Sequence, residues 1–180
     1  MKDKYILIGI PGCGKSTLGK RVAENLDIPF IDLDKMARGK MDPEHQFIPM
    51  SYTSTSMFLN GLYKSMIEVS KLEGPAIIEA GAEAPLMPEC ATIMLEIGIT
   101  IHVTRDIDKI IADIQKKEHR LILKEVNRGT IIDTEVEGVK LYAKELHKYE
   151  DMAILLFPND GTEDEGVEML TKIIKAISKQ

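Results

Sequence analysis

The stretch Tyr5-Ile6-Leu7-Ile8-Gly9-Ile10-Pro11-Gly12-Cys13-Gly14-Lys15-Ser16-Thr17 decides the fold. The apolar run up to Ile8 reads as a strand, and Gly9 to Ser16 match G-x-x-x-x-G-K-[ST] in full, with helix-forming sequence after them. Glycines let the backbone wrap closely, so that successive N–H groups converge on an anion. The helix that follows adds its own unpaired N–H groups and the positive end of its dipole. In such a loop Lys15 reaches the β- and γ-phosphates and the Ser16 hydroxyl is a Mg²⁺ ligand. Gly9, Pro11, Gly12, Cys13, Gly14, Lys15, Ser16 and Thr17 are therefore assigned to a nucleotide, ATP with Mg²⁺. Cys13 reads as a small residue tolerated in the loop, with a thiolate stabilised by the helix terminus as the second reading.

Beyond the loop, short apolar runs alternate with segments of helical period, which predicts an α/β domain with a mainly parallel sheet. The strand candidates are Lys4–Ile8, Pro29–Ile31, Ala76–Ile78, Thr100–Thr104 and Met152–Phe157. Asp106 suits the cap of a helix whose Ile107, Ile110, Ile111 and Ile114 form one stripe. Thr134 with Glu137, and Thr162 with Glu165, fit capping boxes. Val167, Leu170, Ile174 and Ile177 give the last helix its packing face. Two segments break the alternation, Lys35 to Thr55 and Lys116 to Thr130. They are the places for a substrate flap (about 35–60) and a lid (about 115–130) within a single domain over 1–180.

Composition narrows the class. The chain has 180 residues, 23 Lys+Arg against 29 Asp+Glu for a net charge of −6, and 44% hydrophobic residues. That is a globular composition without the basic footprint of a nucleic-acid binder. No apolar run is long enough for a membrane span. Cys13 and Cys90 make neither a disulfide framework nor a zinc site, which points to a reducing cytoplasm. A monomer or weak homodimer is expected.

Ile31-Asp32-Leu33-Asp34 closes the second predicted strand. Residues two apart in an extended chain point the same way, so both carboxylates are expected to face one crevice at the carboxyl edge of the sheet. Asp32 is assigned to the metal and Asp34 to the proton of an attacking hydroxyl, although an aspartate here equally suits a helix cap. Glu79, at the end of the third strand, is assigned to the acceptor or to water around Mg²⁺, and Gly81 to the acceptor. The histidines, at 45, 102, 119 and 147, show no metal-ligand spacing.

The segments Ile6–Gly9, Lys15–Gly19 and Pro29–Asp34 resemble shikimate kinase and its relatives among small P-loop kinases. Gly98–Val103 is similar to the strand before the family's lid helix, His119–Leu123 to its lid, and Tyr149–Ala153 to the lead into its last strand. The resemblance implies a three-layer P-loop fold with a five-stranded parallel sheet in the order 2-3-1-4-5, a lid, and phosphoryl transfer from ATP to a small-molecule hydroxyl. It also implies a lid arginine closing on the phosphates. Arg120 is assigned that catalytic role beside Lys15 and Asp34, with Lys116, Lys124 and Arg128 as rivals; the cations also suit a solvated helix face.

The chain departs from the family where the acceptor binds. Of three consecutive glycines after the third strand it keeps one, in Glu79-Ala80-Gly81-Ala82-Glu83. The flap arginine that follows a Phe falls at Leu59, after Phe58, and the arginine ahead of the last strand falls at Glu145. Between Met41 and Tyr63 there is no Lys or Arg, only the hydroxyl run Ser51–Ser56 with His45 nearby. A carboxylate buried without a cation is costly, so shikimate is not the expected acceptor. A neutral or cationic small molecule fits better, its polar groups held by hydroxyls and by Glu79 and Glu83, although the hydroxyl run also suits a solvated loop and Arg38 and Lys64 could reach in. The expected activity is ATP-dependent phosphorylation of a small-molecule hydroxyl. A module that binds ATP but has lost transfer, or a nucleoside or nucleotide kinase, is the alternative.

Overall fold

A computed structural model of the chain describes residues 3–41, 52–116, 122–124 and 131–178. The first strand, β1 (Lys4–Ile8), is buried along its whole length and leads into α1 (Lys15–Leu26). There follow β2 (Phe30–Asp32), α2 (Leu33–Gly39), α3 (Tyr52–Ser70), β3 (Ala76–Glu79), α4 (Pro88–Ile97) and β4 (Gly98–Thr104). The rest is α5 (Ile107–Lys116), β5 (Ile122–Lys124), β6 (Ile131–Asp133), α6 (Thr134–Ala143), α7 (Leu146–Met152), β7 (Leu155–Pro158) and α8 (Glu163–Ile177).

The main sheet has the order β2-β3-β1-β4-β7, the predicted order of its core strands. All of its pairings are parallel, with Ile6 beside Ile78 on one flank of β1 and beside Thr100 on the other. Because β1 lies between strands reached by opposite crossovers, a crevice opens beyond its carboxyl end. Both faces of β1 are covered, so Tyr5, Ile6, Leu7 and Ile8 are all apolar and all buried. Helices close the layers: Phe58, Leu62, Met66 and Val69 form one buried stripe of α3, and Val167, Leu170 and Ile174 one of α8. Burying a side chain of this size stabilises by about 1.5–3 kcal/mol. The predicted caps at Asp106 and Thr162 are formed, the first accepting from Lys109 N at 3.0 Å, the second in a complete capping box with Glu165.

Several expectations are corrected. Asp34 is not on a strand: β2 ends at Asp32, whose Oδ1 accepts from Lys35 N at 2.8 Å and starts α2. The two carboxylates therefore diverge, one capping the helix and the other lying in its first turn. The segment from Lys35 is helical to Gly39, because Leu33 and Ala37 bury one face of α2. Tyr52–Ser56 opens α3 rather than forming a loop. Met152 and Ala153 are not in the last strand; Tyr149 and Met152, three apart, are the buried side of α7, and pairing with β4 begins at Leu155. Within the expected irregular segment, Lys116 to Thr130, β5 forms a strand that pairs antiparallel with β6 just beyond it, Leu123 in register with Ile132. Arg120, His119 and Arg128 of the expected lid, and His45 and Ser51 of the expected flap, lie outside the described residues.

Candidate active site

Every strand of the main sheet is parallel, so the segments following β1, β2, β3, β4 and β7 emerge at one edge. The first of them is the glycine-rich loop, with Gly9, Gly12 and Gly14 at φ of 140°, 82° and 100°. Gly14 is the N-cap of α1 and provides no side-chain cap, which leaves the helix's first N–H groups facing the crevice. A Cβ on Gly14 would overlap Asn159 Nδ2, which comes in from beyond β7 and donates to the Cys13 carbonyl at 2.9 Å. Lys15 is 5% exposed, and its ammonium donates to the carbonyls of Gly9 at 2.8 Å and Ile10 at 3.0 Å. Cys13 is fully buried beneath the loop, as a small core residue.

The crevice is a cavity of about 560 Å³. One wall is the loop from Pro11 through Lys15, Ser16 and Thr17. The opposite wall carries Asp34, Glu79, Gly81 and Glu83, with Tyr142 beside them, and Arg105 lines the cavity on the side of the loop. A neighbouring cavity of about 260 Å³ continues along Gly14, Thr17, Arg105 and Asn159. The structure thus brings Lys15, Ser16, Asp34, Glu79 and Gly81 to one space. It leaves Asp32 out of the lining, half-buried and occupied as a cap.

Asp34 is the most perturbed acid of the cavity. Burial, then the charges of Glu83, Glu79 and Asp32, push its carboxyl up to about 7 against the opposing pull of Lys15. Its Oδ1 is buried and has no hydrogen-bond partner among the described residues. The loop after β3 that faces it is clamped by two phenols. Tyr149 of α7 donates to the Ala82 carbonyl at 2.8 Å, and Tyr142 of α6 donates to Glu83 Oε1. Burial and the Glu83 contact raise the Tyr142 phenol well above its ordinary value, so it stays a donor.

Arg105, Tyr142, Glu83 and Asn159 complete the site, and only Glu83 was legible as a candidate from the sequence. Arg105 Nη2 donates to Asp113 Oδ2 at 2.5 Å, one turn and a half along α5. Two cations that sequence offered for an acid-binding fork, Arg38 and Lys64, do not line the cavity: the Arg38 guanidinium lies 5.0 Å over the Phe58 ring, and Lys64 is exposed. Leu59 is half-buried, and Glu145 is paired with Lys148 at 2.6 Å. Among the described residues no group of three or more His, Cys, Asp or Glu is placed to hold a metal. Ser16 and a magnesium that keeps most of its waters fit that arrangement. No helix of the described residues is long and apolar enough to cross a membrane.

A parallel sheet with a glycine-rich anion loop at its switch point, a lysine inside the loop and acids across the crevice define a P-loop kinase. The model of the shikimate kinase family matches residues 11–178, and the chain belongs to that family. It is 31% identical to a shikimate kinase of Clostridium botulinum over 97% of this chain and 98% of that protein. The shikimate kinase of Acinetobacter baumannii, solved in complex with shikimate, superposes with a TM-score of 0.74 at 16% identity, covering 98% of this chain and 93% of the other. A gluconokinase from Sinorhizobium meliloti superposes at 0.60 and 14% identity, covering 99% and 94%.

Proposed function

We propose that this protein moves the γ-phosphoryl group of ATP to a hydroxyl of a small molecule other than shikimate. The observation that carries the reading is the acceptor wall: Asp34, Glu79 and Glu83 line the cavity, and the resemblance sets Leu59 and Glu145 where the family carries arginines. An acid acceptor would meet like charge there, and like charges at contact distance repel by several kcal/mol.

The residues present suit ATP·Mg²⁺. Backbone N–H groups of the loop and of the start of α1 would cradle the phosphates, Lys15 would exchange its carbonyl partners for them, and Ser16 would ligate the metal. The nucleotide supplies the transferable phosphoryl group. Asp32 supports the metal through water only with its free oxygen, since Oδ1 is committed to Lys35. Asp34 orients the acceptor hydroxyl and takes its proton as transfer proceeds. Arg105 lies beside the phosphate wall and shares with Arg120 the neutralisation of charge on the transferring group. Both cysteines are buried thiols, in keeping with the cytoplasmic setting we assign.

The test is ADP release with ATP·Mg²⁺ and a panel of small hydroxyl compounds that includes shikimate. Turnover with a non-acidic hydroxyl compound and none above background with shikimate is expected. Efficient phosphorylation of shikimate overturns the proposal, and an ATPase rate that no compound raises identifies a non-transferring module.

A further inference from the structure

Among the described residues the acceptor wall holds three acids and little to balance them. Asp34, Glu79 and Glu83 share the cavity with one buried ammonium, Lys15, and one guanidinium, Arg105, which is already bonded to Asp113. Lys15 sits in the phosphate loop, on the far wall, where a polyphosphate consumes its charge. Bound ATP·Mg²⁺ brings net negative charge of its own. Glu83 is also not free to swing out to solvent: it is held by Tyr142, and the loop between it and β3 by Tyr149 at Ala82. Asp34 presents a buried oxygen with no partner among the described residues and abuts Gly81 of the same loop. Carboxylates around one enclosed space repel one another; a proton on Asp34 relieves part of that repulsion, and a cationic group joining Glu79 and Glu83 relieves the rest. A neutral polyol would give hydroxyl donors but leave the mutual repulsion in place.

We infer that the acceptor is a small hydroxylated amine, an amino alcohol or amino sugar, whose ammonium is received by the Glu83 carboxylate that Tyr142 fixes and by Glu79, with its hydroxyl on Asp34. This rests on the kinase reading above and narrows it. In the transfer the hydroxyl oxygen forms the new bond to the terminal phosphorus and the bond from that phosphorus to its bridging oxygen breaks. ADP departs, the hydroxyl proton passes to Asp34, and the product is a phosphate monoester that keeps its amine. Glu83 and Glu79 act as specificity-determining residues.

The experiment is a paired panel with ATP·Mg²⁺, read by ADP release and by ³¹P NMR of the product: glucosamine with glucose, galactosamine with galactose, serinol with glycerol, and shikimate as the acid. The amine member of at least one pair is expected to exceed its neutral partner in kcat/KM by about 100-fold or more. In Glu83→Gln, whose amide still accepts from Tyr142, that ratio should fall about tenfold or more through KM for the amine, with KM for ATP little changed. Glu79→Gln provides the same readout from an independent position. Transfer to a neutral or acidic member at equal or better efficiency overturns the inference and leaves the kinase reading standing. An unchanged ratio in both variants overturns the assignment of the ammonium. No transfer to any member overturns both readings.

Discussion

Gly81 lies against the Asp34 carboxylate so closely that a Cβ at residue 81 would fall on Oδ1 and stand 2.7 Å from Cγ. Its φ of +66° adds a backbone conformation that other residues adopt at a cost of about 1–2 kcal/mol. Gly81 stands between Ala80 and Ala82, and its contact sets where the acid can sit. Gly81→Ala should displace Asp34 and reduce kcat by about 100-fold, with stability lowered by about 1–3 kcal/mol. Steady-state kinetics together with urea denaturation separate the two; a variant of full activity would contradict the contact.

Asp34 opposes folding when ionised. In the nucleotide-free protein it remains protonated until about pH 7, whereas the unfolded chain ionises it near its ordinary value of 3.8. Between those values the folded state binds the extra proton, so stability falls as pH rises, and above about 7 the loss is constant. The groups responsible are Glu83 and Glu79 on the segment after β3, Asp32 at the start of α2, and Lys15 in opposition. Asp34→Asn should raise stability at pH 8 on the order of 2–4 kcal/mol and change it little at pH 4. Thermal melts across that range check the slope.

The same substitution separates positioning from charge neutralisation in turnover. Lys15→Met removes the ammonium that meets the phosphates and should reduce kcat by about 10³-fold or more, while Asp34→Asn, which keeps a hydrogen-bonding group, should cost about 10²-fold. ATP affinity measured by calorimetry should fall for the first variant and hold for the second. Equal losses of affinity would contradict that division.

The phosphate loop was legible because its chemistry is contiguous: Gly9 to Ser16 carry spacing, conformation and charge within a few residues. The parallel α/β sheet followed from the alternation of strands and helices, and its strand order from the resemblance to the shikimate kinase family. The rest of the site was not legible, for physical reasons that differ by residue. Asp32 and Asp34 have one sequence pattern and two solutions, a strand that continues or a helix that starts, and the cap at Lys35 N settles it in favour of the helix. Tyr142 reaches Glu83 across 59 residues, and Arg105 looks in sequence like an ordinary charge ahead of a helix. The Pro-rich, hydroxyl-rich look of the segment before α3 hid the turn that begins at Tyr52.

Asn159 illustrates what distance in sequence conceals. It lies 146 residues from Cys13, yet its amide holds that residue's carbonyl at 2.9 Å and fills the space beside Gly14. Losing the donor leaves a part-buried carbonyl unpaired in the loop that binds phosphate. Asn159→Ala should raise KM for ATP about tenfold and lower stability by about 1–2 kcal/mol. Asn159→Asp, which cannot donate and adds a charge near the phosphates, should be worse than alanine for ATP and should recover partly at high Mg²⁺. Titration calorimetry with ATP at two magnesium concentrations decides it.

Arg105 and Asp113 form a pair that should matter to catalysis and hardly to stability. The pair is partly exposed, 26% and 44% by side chain, and such bridges contribute about 0–1 kcal/mol. Their place is different from their strength: Arg105 lines the main cavity and the neighbouring one, while Asp113, held below its ordinary range by Arg105 and Lys116, lines only the latter. Arg105→Ala therefore removes a cation from the phosphate wall and strands an ionised acid beside it. It should reduce kcat by about 10²-fold with denaturation midpoints nearly unchanged. Asp113→Ala frees the guanidinium, and its effect on kcat should be under about fivefold. In the double variant the stranded charge is gone, so part of the Arg105→Ala loss should return. If the double variant is no better than Arg105→Ala, the acid does not oppose the phosphates and the whole loss belongs to the missing cation.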